Sequence, residues 1–172
     1  MNLREALIRQ IEIEHKLSLL YRHFFLVFRA YPAYNTFWME MSNDEAGHEN
    51  LLRTLLDVVD DRTAVETDLP NLSVEMFERL ETLLSNSVLE SKSPKFYLRK
   101  AFDTAVKLES SEAEIIYENI LETLDPIFDR ALTHFIADNL NHKEQLRAIG
   151  ESIPPALEEV GCNDTGHFLF PN

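Results

Sequence analysis

Apolar residues recur along most of the chain at alternating steps of three and four, which is the spacing of one face of an α-helix. Almost no stretch alternates apolar and polar residues with period two, and the sequence contains only four glycines. This pattern predicts an all-α protein and disfavours strands. Four long helices are predicted, over about residues 3–30, 35–60, 94–124 and 126–150.

Capping residues mark the ends of the predicted helices. Asn2 begins the first helix, because Glu5 three residues later completes a capping box. Pro32 ends that helix, since the residue before a proline is pushed away from helical angles. Two later starts combine an N-cap residue with proline at the first helical position, namely Ser93-Pro94 and Asp125-Pro126. Gly150 is predicted to be the C-cap of the fourth helix.

Two short turns and one long connection order these helices. The turns within the first and second pairs are short, so each pair is predicted to form an antiparallel hairpin. Residues 61–94 join the hairpins and contain a shorter amphipathic helix that begins near Ser73. The sequence therefore predicts a four-helix bundle with one crossover over residues 1–150, followed by an irregular C-terminal tail over residues 151–172.

The composition is that of a globular protein with no membrane or nucleic-acid partner. The 172 residues are 45% hydrophobic and 27% charged, which predicts one soluble domain. No apolar run approaches the ~20 residues of a membrane-spanning helix, and the charged N-terminus resembles no signal peptide, so a cytoplasmic location is expected. The single cysteine, Cys162, excludes an intramolecular disulfide. A formal net charge of −14 argues against nucleic acid and anionic membranes.

Polar residues interrupt the apolar stripes of all four predicted helices. The interrupting residues are Glu14, Glu45, His48, Glu109, Glu112, Asn139 and His142. Glu14 and Glu45 lie seventeen and fourteen residues from Tyr31 in the first turn. Glu109 and Asn139 lie sixteen and fourteen residues from the second turn, so all four helices point these residues at one level of the bundle. A buried unpaired carboxylate costs several kcal/mol, so such a cluster needs a cation, or its glutamates are not all buried and ionised.

A short motif occurs twice in the chain. NDEAGHENLLR at residues 43–53 returns in altered form as ADNLNHKEQLR at residues 137–147. Both copies hold an aspartate four residues before a histidine, Asp44 and His48 in the first and Asp138 and His142 in the second. The position three residues before the histidine is Glu45 in the first copy and Asn139 in the second. Glu-x-x-His places both side chains on one helical face, so both can reach the same metal pair.

The residue types select the metal. Carboxylates with two imidazoles suit iron, manganese or zinc, and the lack of thiolates disfavours copper(I) and iron–sulfur chemistry. The four ionised glutamates that carry the negative charge are Glu14, Glu45, Glu109 and Glu112. Two divalent ions neutralise four negative charges, so the sequence favours a dinuclear centre.

Several positions allow a second interpretation. Glu12 competes with Glu14 for the inward position, although the spacing to neighbouring apolar residues favours Glu14. Glu112 is either a ligand or a solvated helix charge, and Asn139 is either a weak ligand or a polar filler. Asp138 is a second-choice ligand because its side chain is short and lies off the stripe. Four further histidines are predicted to be core residues, namely His15, His23, His134 and His167.

Aromatic residues cluster around the first predicted turn. They are Phe24, Phe25, Phe28, Tyr31, Tyr34, Phe37 and Trp38. The simplest interpretation is the core of the hairpin or a subunit contact, and a hydrophobic substrate channel is the alternative.

These residues resemble the pattern of the ferritin-like di-iron carboxylate proteins, and among them that of the rubrerythrins. The family carries one glutamate on each of two helices and Glu-x-x-His on each of the other two. Glu14 and the EAGH motif of residues 45–48 match the first half, and Glu109 matches the third helix. The ESSE pair, Glu109 and Glu112, resembles the rubrerythrin variant with an additional glutamate one turn later. Asn139 departs from the pattern, because a bridging glutamate is expected there.

The resemblance implies a non-haem di-iron oxidoreductase that reduces peroxide or dioxygen with two iron ions, for which manganese or zinc can substitute. Tyr21 and Tyr117 match rubrerythrin tyrosines that hydrogen-bond the ligand glutamates. The chain lacks the rubredoxin domain with its four cysteines, so the electron donor is expected to be a separate protein or a small reductant. The family also implies a homodimer.

The same ligand set serves other functions. An iron-binding ferroxidase or metal sensor would bind the ions without turnover. A hydroxylase would act on a macromolecular or organic substrate. A bundle with a decayed site is the last alternative, and Asn139 is the feature that favours it.

Overall fold

The computed structural model describes residues 1–61, 72–119, 137 and 141–158, with side chains described for 1–57, 72–111, 137 and 141–157. These residues form six helices: α1 (Leu3–Val27), α2 (Pro32–Asp61), α3 (Val74–Ser91), α4 (Leu98–Asn119), α5 (141–152) and α6 (Pro155–Glu158). No strand occurs in this part of the chain, which confirms the predicted all-α class for it. None of the described helices has the length and apolar character that crossing a membrane requires.

The start of α1 is the predicted capping box. Asn2 Oδ1 accepts a hydrogen bond from the Glu5 N–H at 2.8 Å, and Glu5 Oε2 accepts one from the Asn2 N–H at 3.2 Å. The bond to Asn2 Oδ1 satisfies an N–H group that has no partner inside the helix. The start of α3, directly after Ser73, also lies where the sequence predicts it.

The turn between α1 and α2 lies three residues earlier than predicted. The first helix ends at Val27 rather than near Ala30, and α2 begins at Pro32 rather than at Asn35. Proline fits the first position of a helix because its missing N–H would have no partner there. Pro32 therefore starts the second helix.

Ser93 and Pro94 form a turn, whereas the sequence predicts a helix start there. Ser93 Oγ accepts a hydrogen bond from the Lys95 N–H at 3.2 Å, and Ser93 O accepts one from the Phe96 N–H at 2.9 Å. The turn brings Phe96 into the core before α4 begins at Leu98. Serine side chains bond to nearby backbone in turns and at helix starts alike, so the local sequence does not separate the two cases.

α1 and α2 form an antiparallel hairpin. Their contacts join residues progressively farther from the turn, Phe25 with Asn35, Ser18 with Ser42, and His15 with Glu49. Ser18 Oγ donates to Ser42 O at 2.8 Å, and Ser42 Oγ donates to Ser18 O at 2.9 Å. These small residues lie about one turn from Glu14 and Glu45. The reciprocal hydrogen bonds therefore hold both glutamates at one level of the hairpin.

Buried aromatic rings join α4 to this hairpin. The ring centroid of Trp38 lies 4.5 Å from that of Phe102 in α4 and 4.9 Å from that of Phe24 in α1. Tyr21 stacks on Trp38 with centroids 5.8 Å apart. Of the predicted cluster, four members are buried, Phe24, Phe28, Phe37 and Trp38, and three are partly buried, Phe25, Tyr31 and Tyr34. The interpretation as hairpin core therefore holds for the buried members.

α3 packs against α1. Arg9 Nη1 lies 3.3 Å from Glu81 Oε1, and the Arg9 guanidinium lies 5.9 Å from the ring centroid of Phe77. Near the other end of α1, His23 Nε2 donates to Ser91 O at 3.2 Å. Burial lowers the pKa of His23, so this histidine is a neutral core residue, as the sequence predicts.

A close contact at Gly150 joins α5 to α4. Gly150 lies inside α5, which continues to residue 152, so the predicted C-cap at this position is wrong. The position of a Cβ atom on Gly150 lies 3.4 Å from Phe102 Cβ, and Arg99 Nη1 donates to Gly150 O at 3.0 Å. The Cβ position therefore lies at ordinary van der Waals distance from Phe102, and the approach of the two helices does not require glycine.

Gly150→Ala is expected to stabilise the protein by about 0.5–1 kcal/mol, because alanine is the better helix former. Its methyl group would make only van der Waals contact with Phe102. Urea unfolding of both proteins measures the difference. Gly47→Ala in α2 is the matched control, since no atom lies within 4 Å of its Cβ position and the same gain is expected. A loss of stability at position 150 alone would restore the C-cap interpretation.

Some predicted boundaries lie outside the described residues. They are the middle of the connection at residues 62–71, the second turn at Asp125-Pro126, and residues 159–172 of the tail. The described beginning of the predicted tail is not wholly irregular. Ile153 is buried, and α6 begins two residues later at Pro155.

Candidate metal centre

Five of the predicted ligands meet between four helices. They are Glu14 of α1, Glu45 and His48 of α2, Glu109 of α4 and His142 of α5. Each is at most 5% exposed, although each is ionisable. They form two groups that share one glutamate, a first triad of Glu14, Glu45 and His48 and a second triad of Glu45, Glu109 and His142. Within each triad, one ligand atom of each residue lies within 4.8 Å of the others.

The first triad lies entirely within the α1–α2 hairpin. Glu45 and His48 are three residues apart on α2 and so share one face of the helix. His48 Nδ1 lies 2.8 Å from Glu45 Oε2 and 3.9 Å from Glu14 Oε2. Gln10, one turn before Glu14 on α1, donates from Nε2 to Glu14 Oε1 at 3.2 Å. This bond directs the other carboxylate oxygen of Glu14 toward His48.

The second triad requires three helices. His142 Nδ1 lies 3.4 Å from Glu45 Oε1 and 3.7 Å from Glu109 Oε2. The other ring nitrogen, Nε2, donates to Asp44 Oδ2 at 3.2 Å. Tyr21 Oη donates to Glu109 Oε1 at 2.6 Å, which orients that carboxylate. The rings of His48 and His142 have centroids 5.8 Å apart, so the two triads are neighbours.

The centre is electrostatically suited to a cation. Three buried carboxylates repel one another unless positive charge lies between them. Burial acts to lower the pKa of His142, but the carboxylates of Glu109 and Asp44 outweigh burial and the pKa of His142 is raised. The negative charge of these carboxylates favours a proton on the imidazole, and it would also favour a metal ion in place of that proton.

Two buried atoms of the second triad show that the residues fit a metal. Among the described residues, Glu109 Oε2 and His142 Nδ1 make no hydrogen bond. Buried polar atoms are nearly always paired, and a metal ion bound between these two would satisfy both. Glu45 directs Oε2 toward His48 and Oε1 toward His142, so its carboxylate faces both triads. Imidazole nitrogens and carboxylate oxygens are common ligands of metal ions, so each triad could hold one ion.

Of the remaining predicted residues, the structure describes the side chains of some, such as Glu12 and His15, and not of others. Glu12 is exposed, which leaves Glu14 as the inward residue. The His15 side chain is 56% exposed and pairs with Glu49, so the prediction of a core histidine is wrong there. His15 directly follows Glu14 and therefore points about 100° away from it. The side chains outside the described residues are those of Glu112, Tyr117, His134, Asp138, Asn139 and His167.

The sequence interpretation missed two residues that contact ligands. Gln10 carries a local signal, because a residue four before Glu14 lies on the same face of α1. Asp44 was noted as part of the repeated motif, but its contact with His142 forms only when α5 packs beside α2. No pattern within one helix indicates that contact.

Tyr21→Phe is expected to lower metal affinity at the second triad by about 10–100-fold, because the group that orients Glu109 is removed. It also leaves Glu109 Oε1 without its buried donor, which costs roughly 1–3 kcal/mol of folding stability. Titration with Co²⁺, followed by visible absorbance, measures the affinity of each triad. Tyr34→Phe is the control, since Tyr34 contacts Phe102 and none of the triad residues. An unchanged second binding step would show that Tyr21 does not hold Glu109.

Comparisons with known proteins assign no family to this chain. No protein-family model matches it, and no curated protein or solved structure matches it either. The family resemblance therefore stays a prediction, and the residues of the two triads are the basis for a function.

Proposed function

We propose that the protein is a dinuclear metal oxidoreductase of the ferritin-like, rubrerythrin type, which reduces peroxide or dioxygen with two iron ions. One observation carries the proposal: the buried Glu45 carboxylate faces two triads, one with each oxygen. A carboxylate in that position can bridge two ions, whereas a single ion would leave one triad of buried ionisable groups uncompensated.

The residues of the two triads have separate roles in this proposal. Glu14 and His48 would hold one ion, Glu109 and His142 would hold the other, and Glu45 would contribute to both. When bound, a pair of iron ions would supply two electrons to a small oxidant. The Tyr21 hydroxyl donates a hydrogen bond to Glu109 Oε1, with 2.6 Å between the two oxygens, and fixes the orientation of that carboxylate. The imidazoles supply neutral nitrogen ligands.

Charge balance supports two ions with a further anionic ligand. The three described glutamates carry three negative charges, and two divalent ions carry four positive charges. One positive charge remains in a buried site, so a fourth anion is favoured. Glu112, one turn after Glu109 on α4, is the proposed source, as the sequence predicts.

Burial of the ligands supports a small substrate. All five described ligands are at most 5% exposed, so a macromolecular substrate would not reach the ions without rearrangement. Peroxide and dioxygen are small enough to diffuse between packed side chains. This observation favours their reduction over hydroxylation of a large substrate.

The arrangement of the helices supports the ferritin-like topology. The α1–α2 hairpin, the long connection with α3, and the pair of α4 and α5 follow one another as in a bundle with one crossover. A separate electron donor and a homodimer, both implied by the resemblance, complete the proposal.

Metal stoichiometry with peroxide turnover tests the function. Protein loaded anaerobically with Fe²⁺ is expected to hold two ions per chain, and one equivalent of peroxide is expected to produce the near-ultraviolet absorbance of ferric iron. Repeated addition of a reductant and peroxide should then give repeated cycles. Two ions that oxidise only once, with every donor tried, would favour the ferroxidase alternative. Binding of no iron would overturn the proposal.

A further inference from the structure

The two triads are built from different sets of helices. The first triad is formed by residues of one hairpin, whereas the second is completed by α4 and α5. Asp44, next to Glu45 on α2, has a side chain that is 54% exposed. Its Oδ2 nevertheless accepts a hydrogen bond from Nε2 of His142, which is 3% exposed. Asp44 and His142 thus connect the solvent-exposed surface with the buried carboxylates.

His142 separates Asp44 from the buried glutamates. Its Nε2 faces Asp44 at 3.2 Å, and its Nδ1 faces Glu45 and Glu109 at 3.4 and 3.7 Å. The hydrogen bond to Asp44 holds the imidazole between the solvent and the two glutamates. An ion that reaches the glutamates from this side must displace that hydrogen bond.

We propose that Asp44 is the carboxylate through which divalent metal ions reach the second triad. This inference rests on the proposed metal centre. The half-exposed Asp44 carboxylate attracts hydrated cations. When it binds one, its hydrogen bond with His142 is broken. The freed imidazole can then turn, and Nδ1 together with the glutamate oxygens replaces the water ligands.

One observation supports a ligand here beyond an exposed acidic residue. Within the described part of the chain, Glu109 Oε2 and His142 Nδ1 are buried and make no hydrogen bond, and they lie 3.7 Å from each other. Transfer of a divalent ion directly from water into a buried site carries a large desolvation cost. Asp44 is half-exposed and contacts His142, so an ion bound to Asp44 can lose its water ligands a few at a time, and the desolvation cost is divided into smaller steps.

Rapid mixing of metal-free protein with Co²⁺ tests the inference. Visible absorbance is expected to show two phases, and Glu109→Gln identifies the phase of the second triad by removing it. Asp44→Asn is expected to slow that phase by at least about tenfold and to leave the other phase unchanged, since a local carboxylate raises the association rate of cations. The rate of the parent protein should also fall with added salt more steeply than that of the variant.

Glu40→Gln is the matched control. Glu40 is exposed on α2, one turn before Asp44, and its replacement removes the same charge without touching His142. Equal rates for Asp44→Asn and Glu40→Gln would overturn the uptake role while leaving the metal centre intact. A loss of equilibrium affinity without a slower association would also overturn it, because Asp44 would then only orient His142. Failure of the parent to bind two Co²⁺ ions would instead overturn the proposed function.

Discussion

Glu45→Gln is expected to weaken metal binding at both triads at once, by more than about 100-fold at each. Glu45 Oε2 lies 2.8 Å from His48 Nδ1 and Oε1 lies 3.4 Å from His142 Nδ1, so one substitution removes an anionic ligand from each site. Even residues that only orient metal ligands contribute about 10–100-fold, and a shared ligand should exceed that. Titration with Co²⁺ and the shift of the unfolding temperature on adding metal both measure the loss.

The stabilisation by metal provides an independent measurement. A site saturated at 100 times its Kd stabilises the folded protein by about 2.7 kcal/mol, and this gain should vanish in Glu45→Gln. Glu14→Gln and Glu109→Gln should each lose one ion and keep the other, because each belongs to one triad. Glu49→Gln, one turn farther along α2, should keep both ions, since Glu49 pairs with His15 and Arg53. Two tightly bound ions in Glu45→Gln would contradict a shared carboxylate.

Trp38→Ala is expected to destabilise the protein by about 3–5 kcal/mol, the range for removing a buried aromatic side chain. Trp38 is fully buried, and its ring packs on Tyr21 and Phe24 of α1 and on Phe102 of α4. The loss is a large part of the roughly 5–15 kcal/mol by which most domains are stable. Urea unfolding measures the difference, and the protein should also lose affinity at the second triad because Tyr21 loses its support.

Leu89→Ala is the control for this substitution. The Leu89 side chain lies on α3 and is 66% exposed, so its truncation should change stability by less than about 0.5 kcal/mol. Similar small effects at both positions would contradict the central packing of Trp38.

Local sequence determined the helices and the inward position of the ligands. The capping box of Asn2 and Glu5 begins α1 as predicted, because all its partners lie within four residues. Glu14 and Glu109 lie in phase with apolar stripes, and a helix of known period brings every in-phase residue to the same face. The choice of Glu14 over Glu12 followed from that periodicity alone.

Residues with several local roles were assigned less accurately. Pro32 starts a helix that it was expected to precede, and Ser93 closes a turn where a helix start was predicted. Gly150 lies within α5, whereas its sequence position is equally typical of a C-cap. Proline, serine and glycine each stabilise more than one backbone arrangement, and packing against another helix decides between them.

The grouping of the ligands was decided only by the tertiary structure. The sequence predicted that glutamates and histidines lie at one level, but not that Glu45 is shared by two triads or that Asp44 contacts His142. The period of one helix determines which face a side chain lies on, because that depends on bonds within a few residues. Which faces meet depends on the rotation and register of separate helices, and those are set by contacts such as the Ser18–Ser42 pair and the rings around Trp38.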